Sequence, residues 1–141
     1  MSFLNPLPVS VVLAPVDGGL VTIRRGVEPH RGKLALPGGY INLGESWEAA
    51  GARELFEETG IIVNPSEIIE FGARNGTDGV IVIFGLAPAI SPACMPPFQA
   101  NEEATERVVI FDVIDLAFPL HTEIVRSFFT KGRAMQNGIT V

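Results

Sequence analysis

The sequence predicts a mixed α and β domain, and three observations predict it. Apolar, β-branched runs of strand length recur along the chain, separated by Gly, Asn, Asp and Pro. The stretch Trp47 to Thr59 contains no proline and carries both a helix start and a helix stop signal. A second stretch, His121 to Thr130, sets Ile124, Val125, Phe128 and Phe129 at helical spacing. The order is therefore strands, helix, strands, helix, a pattern that by itself leaves the sheet topology open. A chain of 141 residues that is 47% hydrophobic is expected to form one domain, residues 1–141, around a real core.

The elements follow in chain order. Val9 to Ala14 reads as a strand, Asp17-Gly18-Gly19 as a turn, and Leu20 to Arg24 as the hairpin partner of the first strand. The polar stretch Arg25 to Lys33 reads as an exposed loop, and Leu34-Ala35-Leu36 as a short strand leading into Pro37-Gly38-Gly39. Ser46 is a good N-cap for the first helix, because its hydroxyl can accept an otherwise unpaired backbone N–H. Gly60 is placed to be its left-handed C-cap. At about 100° per residue, Glu54, Glu57 and Glu58 fall within an arc of about 100°. Ala49, Ala52, Leu55 and Phe56 fall opposite, which predicts one face for a core and one for charge. Asn64-Pro65 marks a turn. Ile68 to Ala73 and Val80 to Leu86 read as strands joined around Asn75 to Gly79. Pro88 to Pro97, with four prolines, reads as a loop, and Arg107 to Phe111 as a last strand. The second helix would cover the sheet, and Lys131 to Val141 reads as a loose tail.

Composition narrows the partners. The net charge is −6 and the pI near 4.8, with no basic stripe, so a nucleic-acid partner is not expected. An acidic protein can still bind a polyphosphate if a metal supplies the positive field. The single cysteine, Cys94, cannot form an internal disulfide, which suits a reducing compartment. There is no long apolar run to span a membrane, and MSFLNPLPVS lacks the pattern of a signal peptide. A cytoplasmic protein with no membrane partner is the expectation.

The chemistry is concentrated between Gly39 and Ile61. Three carboxylates, Glu54, Glu57 and Glu58, share one helix face behind a glycine-rich turn. Like charges four residues apart destabilise an exposed helix by roughly 0.2–0.5 kcal/mol, and more where water is excluded. Arg53 can offset part of that cost and a bound cation the rest. Hard oxygen ligands suit Mg²⁺ or Mn²⁺, which a site with few protein ligands shares with substrate phosphates. An acidic helix face is ordinarily solvated; the spacing sets this one apart.

That spacing is G-x5-E-x7-R-E-U-x-E-E-x-G-U, with U a bulky apolar residue, at Gly39, Glu45, Arg53, Glu54, Leu55, Glu57, Glu58, Gly60 and Ile61. At roughly 6–7% usage for each named residue, a chance match at a given start is below about one in 10⁸. The pattern resembles the signature of the Nudix hydrolase superfamily. The resemblance implies an α/β Nudix fold, a mixed sheet sandwiched between helices (α/β/α). It implies a hydrolase that cleaves the pyrophosphate bond of a nucleoside diphosphate linked to another moiety, with a small-molecule nucleotide as partner. In that family the Glu pair late in the box is the metal centre. This carries over to Glu57 and Glu58, with Glu54 as a further ligand and the Gly38 carbonyl as another. Glu45 and Arg53 look like residues that orient the ligands. Relatives draw their general base either from the box or from a later loop, so Glu102 and Glu103 join the catalytic candidates.

Arg24, Arg25, Arg31 and Lys33, at the end of the second strand and in the loop before the box, are candidates for phosphate contacts. His121 at a helix start reads as a cap-region residue rather than a ligand. The segment Leu116 to His121 resembles the C-terminal part of Nudix proteins that cleave ADP-ribose or dinucleotide cofactors, which makes such compounds the first substrate candidates. A nucleoside triphosphate pyrophosphohydrolase and a non-catalytic nucleotide-sugar sensor are the alternatives. Nudix proteins are often dimers, so a homodimer is the candidate assembly.

Overall fold

The computed structural model describes residues 5–77 and 79–132. It contains eight strands: β1 (Leu7–Leu13), β2 (Pro15–Val16), β3 (Gly19–Arg25), β4 (Leu34–Ala35), β5 (Gly38–Tyr40), β6 (Ile69–Asn75), β7 (Val80–Leu86) and β8 (Ala104–Ile110). Two α-helices accompany them, α1 (Trp47–Thr59) and α2 (Pro119–Ser127), the latter continuing into a π-helical turn at Phe128–Gly132. Of the stretch read as a tail, Lys131 and Gly132 belong to that turn; residues 133–141 lie outside the described residues, as does Asp78 in the β6–β7 loop.

The strands form two four-stranded sheets. One runs β5-β1-β7-β6, with β1 and β7 parallel and the other pairs antiparallel. In the other, β3 pairs antiparallel with β2, β4 and β8. The chain crosses between the sheets three times, at Ala14 between β1 and β2, at Leu36-Pro37 between β4 and β5, and through the long connection from β7 to β8. Pro15 and Pro37 bring no N–H to a ladder, which suits both positions to a switch of partner. The expected hairpin is therefore corrected: β3 turns back onto the two-residue β2, while β1 pairs with β5 and β7 instead. The β6–β7 hairpin is present as expected.

Alternation along β1 puts a core on each side of it. Val11 and Leu13 pack with Phe84, Leu86, Ile124 and Val125 of α2, and Phe128 of the turn that follows it. Val12 and Ala14 pack with Leu55 and Ile61 of the α1 side. The sheets thus lie between the two helices, which is the α/β/α arrangement.

α1 has the caps its sequence announces. Ser46 Oγ accepts the Ala49 N–H at 3.1 Å, and Gly60 sits at φ 82° with its N–H on the Phe56 carbonyl. Its faces differ from the expectation. The buried residues are Ala50, Gly51, Glu54, Leu55, Glu58 and Thr59, whereas Phe56 is 53% exposed. Two of the carboxylates therefore sit on the inner face. Gly51 makes this possible: a Cβ there would lie 2.8 Å from Val12 Cγ2 and 2.9 Å from Ser10 Oγ, so its absence brings the helix down onto β1. Ser10 Oγ then donates to the Trp47 carbonyl at 2.8 Å.

α2 begins two residues before the predicted His121, because Pro119 is preset for the first helical position. His121 is buried rather than a surface cap residue, with Phe84 and Phe118 rings at 6.1 and 5.0 Å. Its Nδ1 accepts the Leu36 backbone N–H at 3.1 Å, which leaves the ring proton on Nε2. Burial, helped by the Arg25 charge, pushes its pKa down to about 3. Between the ordinary value near 6.5 and that value, only the unfolded chain takes up the proton. Stability from this residue is thus whole above pH 6.5 and falls as pH falls. The expected loss at pH 5 relative to pH 7 is about 2 kcal/mol. Urea unfolding at both pH values, compared with His121→Asn, checks this; an equal pH dependence in the two proteins would contradict it.

Candidate active site

α1 and β5 carry the site. Glu54 and Glu58, 9% and 8% exposed, point from the inner face of the helix at the Gly38–Gly39 backbone. The Gly38 N–H donates to Glu58 Oε1 at 2.8 Å. The Glu54 carboxylate lies against Gly39, where a Cβ would come within 2.5 Å of its Oε1. Glycine at 39 is thus required by the carboxylate that faces it. Glu103, from the loop before β8, brings the third carboxylate. One oxygen from each of Glu54, Glu58 and Glu103 falls within 4.8 Å of the others, the metal-sized acidic cluster found among the described residues.

Arg53 ties the remaining box residues together. Its Nη2 and Nε take the two oxygens of Glu45 at 2.7 and 3.1 Å. Nη1 reaches Glu54 Oε1 at 2.9 Å and both Glu57 oxygens at 3.4 Å, and Nη2 also donates to the Tyr40 carbonyl at 3.1 Å. The Asn42 N–H adds a 2.8 Å bond to Glu45. Arg53 holds the Glu45 carboxyl below its ordinary range, and Glu45 in turn raises Arg53. Burial raises Glu54 even with Arg53 beside it. Burial pushes Glu58 up to about 8, against the lowering effect of the Gly38 N–H. Three clustered carboxylates of this kind need a proton or a cation between them, and an all-oxygen donor set suits a hard divalent ion.

The structure divides the candidates. Glu54, Glu58 and Glu103 converge, with Gly38 bonded to Glu58. Glu57 is exposed and stands beside them, lining a cleft of about 430 Å³ with Asn101, Glu102 and Glu103. That volume is within the range of small-ligand sites. A second cleft, about 600 Å³, lies between His30 and α2 and is lined by Asp115, Thr122, Glu123 and Arg126. It holds none of the clustered carboxylates.

Of the four basic candidates, Arg25 is the one whose charge acts on a clustered carboxylate. Its positive charge is felt by Glu58 and by His121. Its guanidinium lies 5.0 Å over the Phe118 ring, and its Nε donates to the Pro29 carbonyl at 2.8 Å. Its terminal nitrogens have no hydrogen-bond partner among the described residues. Arg24, the next residue on the strand, instead pairs with Glu106 at 2.8 Å and with the Gly32 carbonyl at 2.9 Å. Strand alternation explains the divergence. Arg31 and Lys33 are exposed in the β3–β4 loop.

Three positioning residues escape a reading of the sequence. Asn101 Nδ2 donates to the Glu57 carbonyl at 2.9 Å, while its Oδ1 accepts the N–H groups of Glu103 and Ala104. The Glu103 carbonyl accepts the Gly26 N–H at 2.9 Å. This loop is thus fastened on two sides. Arg107 donates to the carbonyls of Thr59 and Pro96, both at 2.8 Å, so it closes the C-terminal end of α1 and pins the proline-rich loop to it. His121, through Leu36, is the third. The Asn ahead of two residues whose N–H groups it caps was the one local signal available.

Known proteins resemble this chain in sequence and fold. A family model described as the NUDIX domain matches residues 4–130. A MutT-like protein of Streptomyces ambofaciens is 30% identical over 129 residues, covering 82% of this chain and 81% of that protein. An ADP-ribose pyrophosphatase of Methanocaldococcus jannaschii is 38% identical over 60 residues, which is 43% of this chain and 36% of that protein. The crystal structure of a NUDIX hydrolase from Nitrosomonas europaea superposes with a TM-score of 0.81 at 18% identity, over 99% of this chain and 77% of that one, and shows the shared fold. Among the described residues no helix is long and apolar enough to cross a membrane. With the box carboxylates gathered against Gly38–Gly39 and the family match running nearly the length of the described chain, this protein belongs to the NUDIX family of pyrophosphohydrolases.

Proposed function

We propose that the protein hydrolyses the pyrophosphate bond of a nucleoside diphosphate linked to another moiety, with Mg²⁺ or Mn²⁺, and that ADP-ribose-like compounds and dinucleotides are its substrates. The observation that carries the proposal is the cluster of Glu54, Glu58 and Glu103 oxygens within 4.8 Å of one another, set against a backbone cradle. The substrate class is supported by the Leu116–His121 segment and by the relative named an ADP-ribose pyrophosphatase.

Glu54, Glu58 and Glu103, with Glu57 at the rim and the Gly38 carbonyl, would hold the divalent ion. When bound, that ion supplies Lewis-acid polarisation of a phosphoryl oxygen and an acidified water. Arg53 and Glu45 hold the carboxylates in one arrangement, so that no reorganisation is needed during reaction. Arg25, braced on Phe118 and with its terminal nitrogens open, is the candidate contact for the phosphate that is not attacked. Water adds to phosphorus, its proton passes to a carboxylate, and the bridging oxygen leaves with the other phosphate. Glu57, Glu102 and Glu103 line the cleft and are the candidate proton acceptors. The alternative, release of pyrophosphate from a nucleoside triphosphate, uses the same carboxylates and differs in its products.

Removing a metal ligand should forfeit several kcal/mol of transition-state stabilisation, so Glu58→Gln is expected to lower turnover by more than about 100-fold. Burial raises the Glu58 carboxyl to about 8, so it is largely uncharged at neutral pH in the metal-free protein, and glutamine keeps an oxygen for the Gly38 N–H; the melting temperature of the metal-free protein should therefore hold. A fall in melting temperature with native turnover would remove Glu58 from the metal site. Glu57→Gln, at an exposed position, should leave the fold intact and cost most of the metal-dependent turnover; native rates and native metal affinity would sink its role. Arg53→Lys cannot reproduce the paired bonds to Glu45, and a loss of about 10- to 100-fold in kcat is expected, read by steady-state kinetics at saturating metal.

Hydrolysis of ADP-ribose, NADH, FAD, diadenosine polyphosphates and nucleoside triphosphates, with products identified by mass spectrometry, tests the substrate class. AMP with a phosphorylated partner is the expected result. A nucleoside monophosphate with pyrophosphate would establish the triphosphatase instead.

A further inference from the structure

We propose that His121 is a positioning residue for the metal cradle: by accepting the Leu36 N–H on Nδ1, it fixes the Leu36–Gly39 run that faces Glu54 and Glu58. This rests on the metal-centre assignment above, though the anchoring half of it can be measured without metal.

The run is held at three consecutive residues. Leu36 N–H is taken by His121 Nδ1 at 3.1 Å, the Pro37 carbonyl accepts the Val12 N–H at 2.9 Å, and Gly38 N–H goes to Glu58 at 2.8 Å. Leu36-Pro37 is where the chain passes from one sheet to the other, so regular ladder bonds do not secure this stretch. A side chain 85 residues further on serves in place of a strand partner. One residue pair earlier, the Leu34 carbonyl accepts the Ala117 N–H at 2.7 Å, so the segment before α2 lies along β4 and aligns His121 for its bond.

His121 is itself braced. Its own N–H and that of Thr122 go to the Phe118 carbonyl at 3.0 and 3.2 Å, and Thr122 Oγ1 accepts the Leu116 N–H at 2.9 Å. Phe84, fully buried in the core, and Phe118 flank the imidazole. The ring therefore has little freedom, and the acceptor it presents is fixed relative to the core. Loss of that acceptor leaves a buried N–H unpaired directly before the cradle. The cheapest response is a shift of Leu36–Gly38, which would carry Gly38 away from Glu58.

Three variants and two readouts test this. In His121→Asn the amide oxygen falls near the place of Nδ1; in His121→Leu there is no acceptor; in His121→Gln the acceptor is displaced by a methylene and serves if the leucine variant does not fold. In metal-free protein, amide hydrogen exchange at Leu36 and Gly38 should accelerate in the Leu or Gln variant and stay near wild type in the Asn variant. Mn²⁺ affinity, measured by electron paramagnetic resonance, should weaken by about 10- to 100-fold in the Leu or Gln variant and recover in large part in the Asn variant. Unchanged exchange at Gly38 in a folded His121→Leu or His121→Gln protein would overturn the proposal. So would an Asn variant as impaired as the Leu variant, since burial rather than the acceptor would then be what matters. Altered exchange in a protein whose wild type binds no Mn²⁺ would instead strike the metal-centre assignment and leave the anchor standing.

Discussion

Two carboxylates buried on the inner face of one helix are the constraint on which the structure depends. Glu54 and Glu58 lie where a helix of this size would ordinarily bring apolar side chains to a sheet. Burying charge without partners is costly, and each neighbouring feature reduces that cost. The Gly38 N–H faces Glu58, Arg53 faces Glu54, and Gly39 has no Cβ to collide with the Glu54 carboxylate. Gly51 lets the helix approach β1 closely enough for all of this to occur. What is left uncompensated is a patch of negative charge sized for a cation.

Three stretches distant in sequence meet there, and each is fastened by bonds outside the regular ladders. Residues 101–103 are tied to α1 by Asn101 and to the residue after β3 by the Gly26 N–H. The C-terminal turn of α1 is closed by Arg107, whose burial lowers its own pKa while two carbonyls and the Phe98 ring occupy it. The glycine run is tied to α2. Such cross-links hold ligands within a narrow geometry, which is the condition under which electrostatic stabilisation acts without reorganisation.

Much of this was legible. The caps of α1, the β6–β7 hairpin and the box itself depend on residues close together, and the chain announces them. The helix faces were misjudged for a specific reason. Amphipathic periodicity assumes that charge faces water, and here Glu54 and Glu58 turn inward while Phe56 turns out. The β1–β3 hairpin failed because Pro15 and Val16, too short to read as a strand, take the place of β1 beside β3. The roles of Asn101 and His121 rest on bonds across 44 and 85 residues, and no local pattern encodes a partner at that distance. Arg24 and Arg25 look equivalent in sequence, yet strand alternation sends one to Glu106 and the other to Phe118.

The same contrast separates the clustered carboxylates from Arg25. Two of the carboxylates stand on a capped helix and the third on a loop tied down by Asn101 and Gly26, so their geometry follows from bonded and buried partners. The cation whose charge acts on Glu58, Arg25, is placed at a strand end where β3 and β8 slip register, and it leans on Phe118 from a loop and on a carbonyl of the exposed stretch before β4. Loops tolerate change in ways that a packed helix does not. A chain built this way can hold the carboxylates fixed while the surface around Arg25 varies, because a substitution at His30 or Phe118 disturbs the support of Arg25 and not the Arg53 network. The exception is His121, adjacent to Phe118 in space and bonded to Leu36. Through it the loop that carries Phe118 and the Leu36–Gly39 run share one buried contact, so changes around Phe118 are not wholly isolated from the clustered carboxylates.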